Sequence, residues 1–193
     1  MTNIAHQITG GGKKEDRKEL DFYPTPPDVT ISLMDFLLAE DKIDKDIKIW
    51  EPACGNGAMS KVFESYGNSV VSTDLRTEGV YGKGGVDFLK ESIVCDAIIT
   101  NPPFNIADLF IKKSVINARI VAMLLKCQYW HAKKRIELFQ KHRPSFILPL
   151  TWRPDFFGNG GASTLDMAWT VWIKGDEVTK YQQLIRPTSP KLF

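Results

Sequence analysis

Between Ile47 and Ala58 the chain reads IKIWEPACGNGA. A short apolar run, Ile47 to Trp50, ends in a carboxylate, a proline and two glycines spaced Gly-x-Gly. A helical pattern from Ala58 to Tyr66 follows directly. That order predicts a strand, a tight turn and a helix. Gly55 and Gly57 permit φ values closed to other residues and let backbone approach a ligand closely, in front of a helix N-terminus whose N–H groups are free. The loop lacks the third glycine of a dinucleotide fingerprint and the Gly-Lys-Ser/Thr of a P-loop. Glu51 beside the glycines disfavours a phosphate and suits a cationic or hydroxyl-rich ligand, such as one with a sulfonium or ammonium group. A tight turn with no ligand is the plainer reading of this loop alone.

Outward from it, short β-branched or apolar runs recur at Ser69 to Thr73, Val94 to Thr100, Arg119 to Leu125, Ser145 to Leu150 and Met167 to Ile173. Helical patterns lie between several of them, at Ile106 to Asn117 and Trp130 to Lys141. A further helix is expected from Asp28 to Glu40, with Val29, Leu33, Phe36 and Leu37 on one face and Thr25 or Asp28 as its cap. Alternating strands and helices predict a mostly parallel sheet covered on both faces. Only a loop, Arg153 to Leu165, joins the last two strands, so they can pair antiparallel at the sheet edge.

The 193 residues, 43% of them hydrophobic, fit one domain at about 150 residues per domain. A chain this long buries about 70% of its unfolded surface and needs no disulfide or structural metal. Cys54, Cys95 and Cys127 lie far apart without zinc-ligand spacing, and all three are expected as reduced core residues. The longest stretch free of charged residues is the polar Met1 to Gly12, which is neither a signal peptide nor a membrane span. The expectation is a soluble, cytoplasmic protein with a flexible arm over 1–21, a folded domain over 22–175 and a tail over 176–193.

The net charge of +2 conceals a polarised chain. From Met1 to Thr100, 11 Lys/Arg face 17 Asp/Glu, whereas from Lys112 to Arg143 nine basic residues face Glu137 alone. Lysines interleaved with Tyr129, Trp130, His131 and His142 describe a phosphate-tracking surface with stacking rings. A solvated helix face would carry the same composition.

In open α/β sheets ligands bind beyond the carboxyl ends of the strands. Asp74, closing the second strand about 20 residues after the glycines, is placed to accept from a ribose diol, or simply to cap a turn. Asp87-Phe88 offers a carboxylate for an amino group and a ring for a base. Asn101-Pro102-Pro103-Phe104 follows the third strand. Consecutive prolines end the ladder and hold a carbonyl outward, while Asn101 adds a side-chain acceptor and Phe104 a flat face.

Phe22-Tyr23-Pro24-Thr25-Pro26-Pro27, Glu51-Pro52-Ala53-Cys54-Gly55-Asn56-Gly57, Asp74, Asp87-Phe88 and Asn101-Pro102-Pro103-Phe104 resemble, in that order, the motifs of S-adenosylmethionine-dependent DNA adenine N6-methyltransferases. The resemblance covers about residues 22–175 and extends to small phage-encoded members, including the strands with Pro149-Leu150-Thr151-Trp152-Arg153 and Ala168-Trp169-Thr170-Val171-Trp172. It implies a class I methyltransferase (Rossmann-like) fold, a mostly parallel seven-stranded sheet with an antiparallel last strand and helices on both faces. It implies S-adenosylmethionine as cofactor. Tyr23, Pro24, Thr25 and Pro26 would line its methionine end, with Glu51, Pro52 and Ala53 nearby and Gly55 and Gly57 beneath. Asp74 would hold the ribose, and Asp87 and Phe88 would meet the adenine. Asn101, Pro102, Pro103 and Phe104 would be catalytic, with no metal.

DNA would be the partner, double-stranded rather than single-stranded, engaged by Lys112, Lys113, Tyr129, Trp130, Lys133 and Lys134. Trp152, Arg153 and Phe156 would close on the flipped base, with core or loop packing the plainer role of Trp152 and Phe156, and the composition of Gly158-Asn159-Gly160-Gly161 suits a mobile lid or backbone clamp as well as a plain flexible connection. Longer members carry a separate base-reading domain. Its place is missing here, so specificity is expected to be short or relaxed, or supplied by a homodimer or a specificity partner, in protection from nucleases or in regulation. Methylation of RNA adenine or protein glutamine stays open, as does a silent nucleic-acid-binding subunit with the same fold.

Overall fold

The computed structural model describes residues 23–158, 164–176 and 178–188. The expected arm and the glycine-rich part of the lid from 159 lie outside them. The elements are α1 (Pro27–Ala39), β1 (Lys48–Glu51), α2 (Ala58–Ser65), β2 (Ser69–Ser72), β3 (Ala97–Thr100), α3 (Ala107–Asn117), β4 (Ile120–Lys126), α4 (Ile136–Lys141), β5 (Phe146–Pro149), β6 (Met167–Ile173) and β7 (Lys180–Tyr181). The seven strands form one sheet in the order β2-β1-β3-β4-β6-β5-β7. All neighbours are parallel except at β6, which runs antiparallel to both β4 and β5. The expected seven-stranded, mostly parallel architecture is present.

Strand alternation sends side chains to two apolar layers. Ile49, Ile99, Ala122, Leu124, Leu148 and Trp169 point to one face, where Val29, Leu33 and Leu37 of α1 and Met59 and Phe63 of α2 cover them. Trp50, Ile98, Val121, Met123 and Trp172 point to the other, against Phe110 and Ile111 of α3 and Leu138 of α4. β4 is central and buried over all of its length except Lys126. The Trp169 indole N–H, sealed in the first layer, donates to the Val29 carbonyl (3.0 Å), tying α1 to β6.

The structure corrects several local expectations. α1 has Pro26 at its N-cap with no side-chain cap. The Thr25 hydroxyl and the Asp28 carboxylate accept instead from Asn101 and Arg186. Residues 94–96 precede the third strand as a loop, with Val94 exposed. The helix expected over Trp130 to Lys141 is two 3₁₀ turns, Cys127–His131 and Lys133–Arg135, before the short α4. The reason is a ring stack: Trp130 lies on Phe139 at 4.1 Å, and a continuous helix would separate residues nine apart by about 13 Å along its axis. Beyond 175, the chain expected as a tail returns to the sheet: β7 pairs parallel with β5, and Leu184, buried, bridges Leu150.

Candidate active site

The chain runs from β1 to β2 on one side and then crosses to β3 on the other. The crevice between β1 and β3 is the point where strand order reverses, and ligand sites in such sheets form there. Trp50 is level with Ile98, so the glycine loop after Glu51 and the Asn101 turn after Thr100 leave the sheet side by side, about 4.8 Å apart across the ladder.

In the glycine loop, Gly55 and Gly57 have φ of 54° and 78°. The Gly55 N–H donates to Asp74 Oδ2 (2.8 Å). Asp74 Oδ1 accepts from the backbone N–H and the Nε of Arg76 (2.9 and 3.3 Å). Asp74 thus organises the glycine loop and the turn that follows β2. Leu75 beside it is 65% exposed, an apolar side chain held out of the core. Tyr81 covers the outer side of the loop. Its N–H donates to the Gly55 carbonyl (2.8 Å), its hydroxyl to Glu64 (2.8 Å), and its ring fills the place a Gly57 Cβ would take.

Glu51 departs from expectation. Its carboxyl is 2% exposed and turned inward, accepting from the Ser60 hydroxyl, which is in turn 2.6 Å from the Ser72 hydroxyl. Burial pushes its pKa up to about 8, aided by the nearby Asp74 and Glu64. The residue is a neutral tie between β1 and α2 rather than a charge offered to a cation, because the first turn of α2 supplies the donors. The three thiols are free, and burial raises each of them, Cys95 to about 11.

At the end of β3 the Asn101 Nδ2 donates to Thr25 Oγ1 (3.2 Å) across 76 positions of sequence. This orients the amide and leaves its Oδ1 buried with no hydrogen-bond partner. A buried unsatisfied acceptor costs about 1–3 kcal/mol, a price that a native fold tolerates where a ligand will meet it. Thr100 Oγ1 and Trp152 Nε1 are likewise buried without a partner. The Pro103 carbonyl accepts from the Ile106 N–H (3.1 Å), closing the turn, whereas no described N–H donates to the Pro102 carbonyl. Phe104 is half-buried, with Lys126 Nζ 4.4 Å from its ring centroid. Tyr23 meets Phe157 edge-on at 5.6 Å, so the segment before α1 and the loop after β5 approach each other.

Other expected contact residues are engaged within the fold. Phe88 is 2% exposed between Trp50 (4.9 Å) and Phe110 (4.5 Å), and Asp87 caps its own turn through the Leu89 N–H. Tyr129 is buried beneath the Arg135 guanidinium, 3.6 Å from its centroid, and Trp130 has one face on Phe139. Phe156 is buried in the α1-side layer, with Trp152 packed against it. Lys113 folds back onto the Glu91 carbonyl and the Phe88 ring. Arg153 pairs with Asp166 (2.8 Å). In each case apolar burial or a nearer partner holds the side chain. Lys112, Lys133 and Lys134 stay exposed. Lys126 and Tyr81 were not singled out from sequence. Lys126 could have been found, since it closes the strand next to the Asn101 turn.

Among the described residues no group of His, Cys, Asp and Glu is arranged to hold a metal, and no helix is long and apolar enough to cross a membrane.

Neither family models nor curated proteins match the chain in sequence. Solved structures match its fold. A Listeria monocytogenes protein described as a class I S-adenosylmethionine-dependent methyltransferase superposes with a TM-score of 0.64 at 15% identity, over 96% of this chain and 72% of that one. A Pyrococcus horikoshii protein described as an RNA methyltransferase gives 0.65 at 16%, over 88% and 96%. The methyltransferase subunit of a type I restriction-modification system from Streptococcus thermophilus gives 0.64 at 12%, over 83% of this chain and about half (47%) of the subunit. The fold is that of class I methyltransferases.

Proposed function

We propose that the chain transfers a methyl group from S-adenosylmethionine to the exocyclic N6 amine of adenine in DNA, with short or relaxed sequence specificity. The observation that carries this reading is the buried, unpartnered Asn101 amide oxygen at the carboxyl end of β3, beside the glycine loop. Its chemistry calls for a donor, and an aromatic NH₂ supplies one.

The residues around the crevice fit the cofactor. Gly55 and Gly57 bring backbone close, Asp74 beside them would accept from the ribose hydroxyls, and Leu75 offers an exposed apolar contact for a purine. Of Tyr23, Pro24, Thr25 and Pro26, which would line the methionine end, Thr25 is tied to Asn101 on the other side of the crevice. Phe88, being core, is not a contact for the base. The bound sulfonium supplies an electrophilic methyl.

The chain's own part is geometric and electrostatic. The Asn101 oxygen and the Pro102 carbonyl accept from the two N–H bonds of the amine. That favours a pyramidal nitrogen with its lone pair free for a direct displacement, after which the surplus proton passes to water. Thr25 holds the Asn101 amide in the accepting orientation. A duplex adenine must leave the stack for about a few kcal/mol, and the half-buried Phe104 face would receive it. Exposed Lys133 and Lys134, beyond the carboxyl end of β4, favour nucleic acid over protein as acceptor. The methyltransferase subunit of a type I restriction-modification system among the fold neighbours supports DNA and a subunit partner.

The test is tritiated-methyl transfer to DNA, RNA and protein acceptors, with Asn101→Ala alongside. Label is expected in N6-methyladenine of DNA. Asn101→Ala should lower turnover by about 10²–10³ while cofactor affinity changes little. Label in RNA or protein alone, or near-normal turnover of the variant, overturns the reading.

A further inference from the structure

The basic segment from Lys112 to Arg143 looks like one patch in sequence, and the fold divides it. Lys126, Lys133 and Lys134 lie at the carboxyl end of β4, near the Asn101 turn. Lys113 and Arg135 are folded onto Phe88 and Tyr129. The remaining cations gather at the opposite end of β4. There a cleft of about 160 Å³ opens between the C-terminal ends of α3 and α4, floored by Val115, Val121 and Trp172. Arg119, Lys141, His142, Arg143 and Lys174 line it. Lys112 lies close enough to act on His142, whose imidazole is held below its ordinary range by burial, then by Lys141 and Lys112.

No acidic residue lines the cleft. Arg119, Lys141, Arg143, Lys174 and Lys112 are exposed, and none forms an ion pair with a described residue. The simplest structural role for such cations is to complement helix C-termini. Two helix ends, however, supply about −0.5 charge each, one unit against five full positive charges. The surplus is unmatched within the described chain. The cleft is smaller than the ~300 Å³ at which whole-ligand pockets begin, but it admits a phosphate group. Guanidinium groups such as those of Arg119 and Arg143 match phosphate oxygens pairwise.

We propose that this cleft seats a backbone phosphate of the nucleic-acid substrate, a second anchor remote from the catalytic turn. The nucleic acid is taken from the function proposed above. β4 separates the two ends by six residue steps, Ile120 to Lys126, or about 20 Å at 3.3 Å per residue. That is about six base pairs at 3.4 Å per step along one strand. A long duplex reaches the cleft while its target base is at Asn101, and a short one does not.

The experiment measures fluorescence anisotropy of a 30-base-pair and an 8-base-pair duplex, each with a central adenine target, against salt concentration. The proteins are the full chain and Lys141→Ala/Arg143→Ala, with a thermal melt confirming that the variant folds. For the long duplex the variant should bind about tenfold more weakly, with the slope of log K against log salt reduced by about 0.9, the value for one phosphate. Binding of the short duplex should be unchanged. Equal losses on both lengths, an unchanged salt slope, or displacement of the long duplex by polyglutamate as effectively as by unlabelled duplex would overturn the assignment. Arg119→Ala provides a second reading should the double variant melt early, and the same length dependence is required of it. The binding measurement needs no turnover. Length-dependent loss without DNA methylation would sink the proposed reaction and leave the cleft standing, and methylation without length dependence would do the reverse.

Discussion

Glu51→Gln isolates the charge state of the carboxyl buried at the end of β1. The side chain is 2% exposed, and loss of water, with Asp74 and Glu64 nearby, pushes its pKa from 4.5 to about 8 against the pull of Ser60. Between these values the folded protein keeps a proton that the unfolded chain has released. With more protons on the folded state, stability is fully present at low pH and falls as pH rises through the window. One proton corresponds to about 1.4 kcal/mol per pH unit. From pH 5.5 to 7.5 Glu51 alone therefore removes about 2 kcal/mol, allowing for partial titration near the upper end. Glutamine keeps the shape and the acceptor for the Ser60 hydroxyl, and it does not titrate. Urea unfolding followed by tryptophan fluorescence, with Trp50 and Trp169 as fully buried reporters, gives both stabilities at each pH. The stability difference should shift in favour of the variant by about 2 kcal/mol between pH 5.5 and pH 7.5. A difference constant to within about 0.5 kcal/mol over that range would mean that the folded carboxyl is charged despite its burial.

Two further substitutions probe the loops on either side of the crevice. Thr25→Val removes the acceptor for the Asn101 amide at nearly constant volume and should lower kcat by about 10- to 100-fold, with Thr25→Ser restoring most of it. A loss confined to the KM for cofactor would instead assign Thr25 to cofactor binding. Gly57→Ala forces a side chain onto φ of 78° and places Cβ 2.2 Å from the Tyr81 ring, for a loss of about 3 kcal/mol in urea unfolding. Tyr81→Ala in the same chain should recover at least about 1 kcal/mol of that by a double-mutant cycle, and strict additivity would show that the ring is not what excludes the methyl.

The amino-acid sequence by itself determined the features that depend on neighbours along the chain. Strands alternating with helices, the Gly-x-Gly turn after β1 and the Asn-Pro-Pro-Phe turn after β3 are encoded within a few residues each, by periodicity and by the dihedral limits of glycine and proline. Only the tertiary structure decided which of those side chains meet. Asn101 finds Thr25 across 76 positions, and no local pattern records that pairing. Phe88, Tyr129 and Phe156 look like recognition rings in sequence, yet an aromatic ring beside a cleft and one beneath it have the same local signature. Their burial follows from which layer each strand and helix covers. Glu51 reads as a charge, and enclosure by α2 makes it neutral at pH 7. The basic segment reads as one surface, and because β4 places its two ends at opposite ends of the strands, it becomes two.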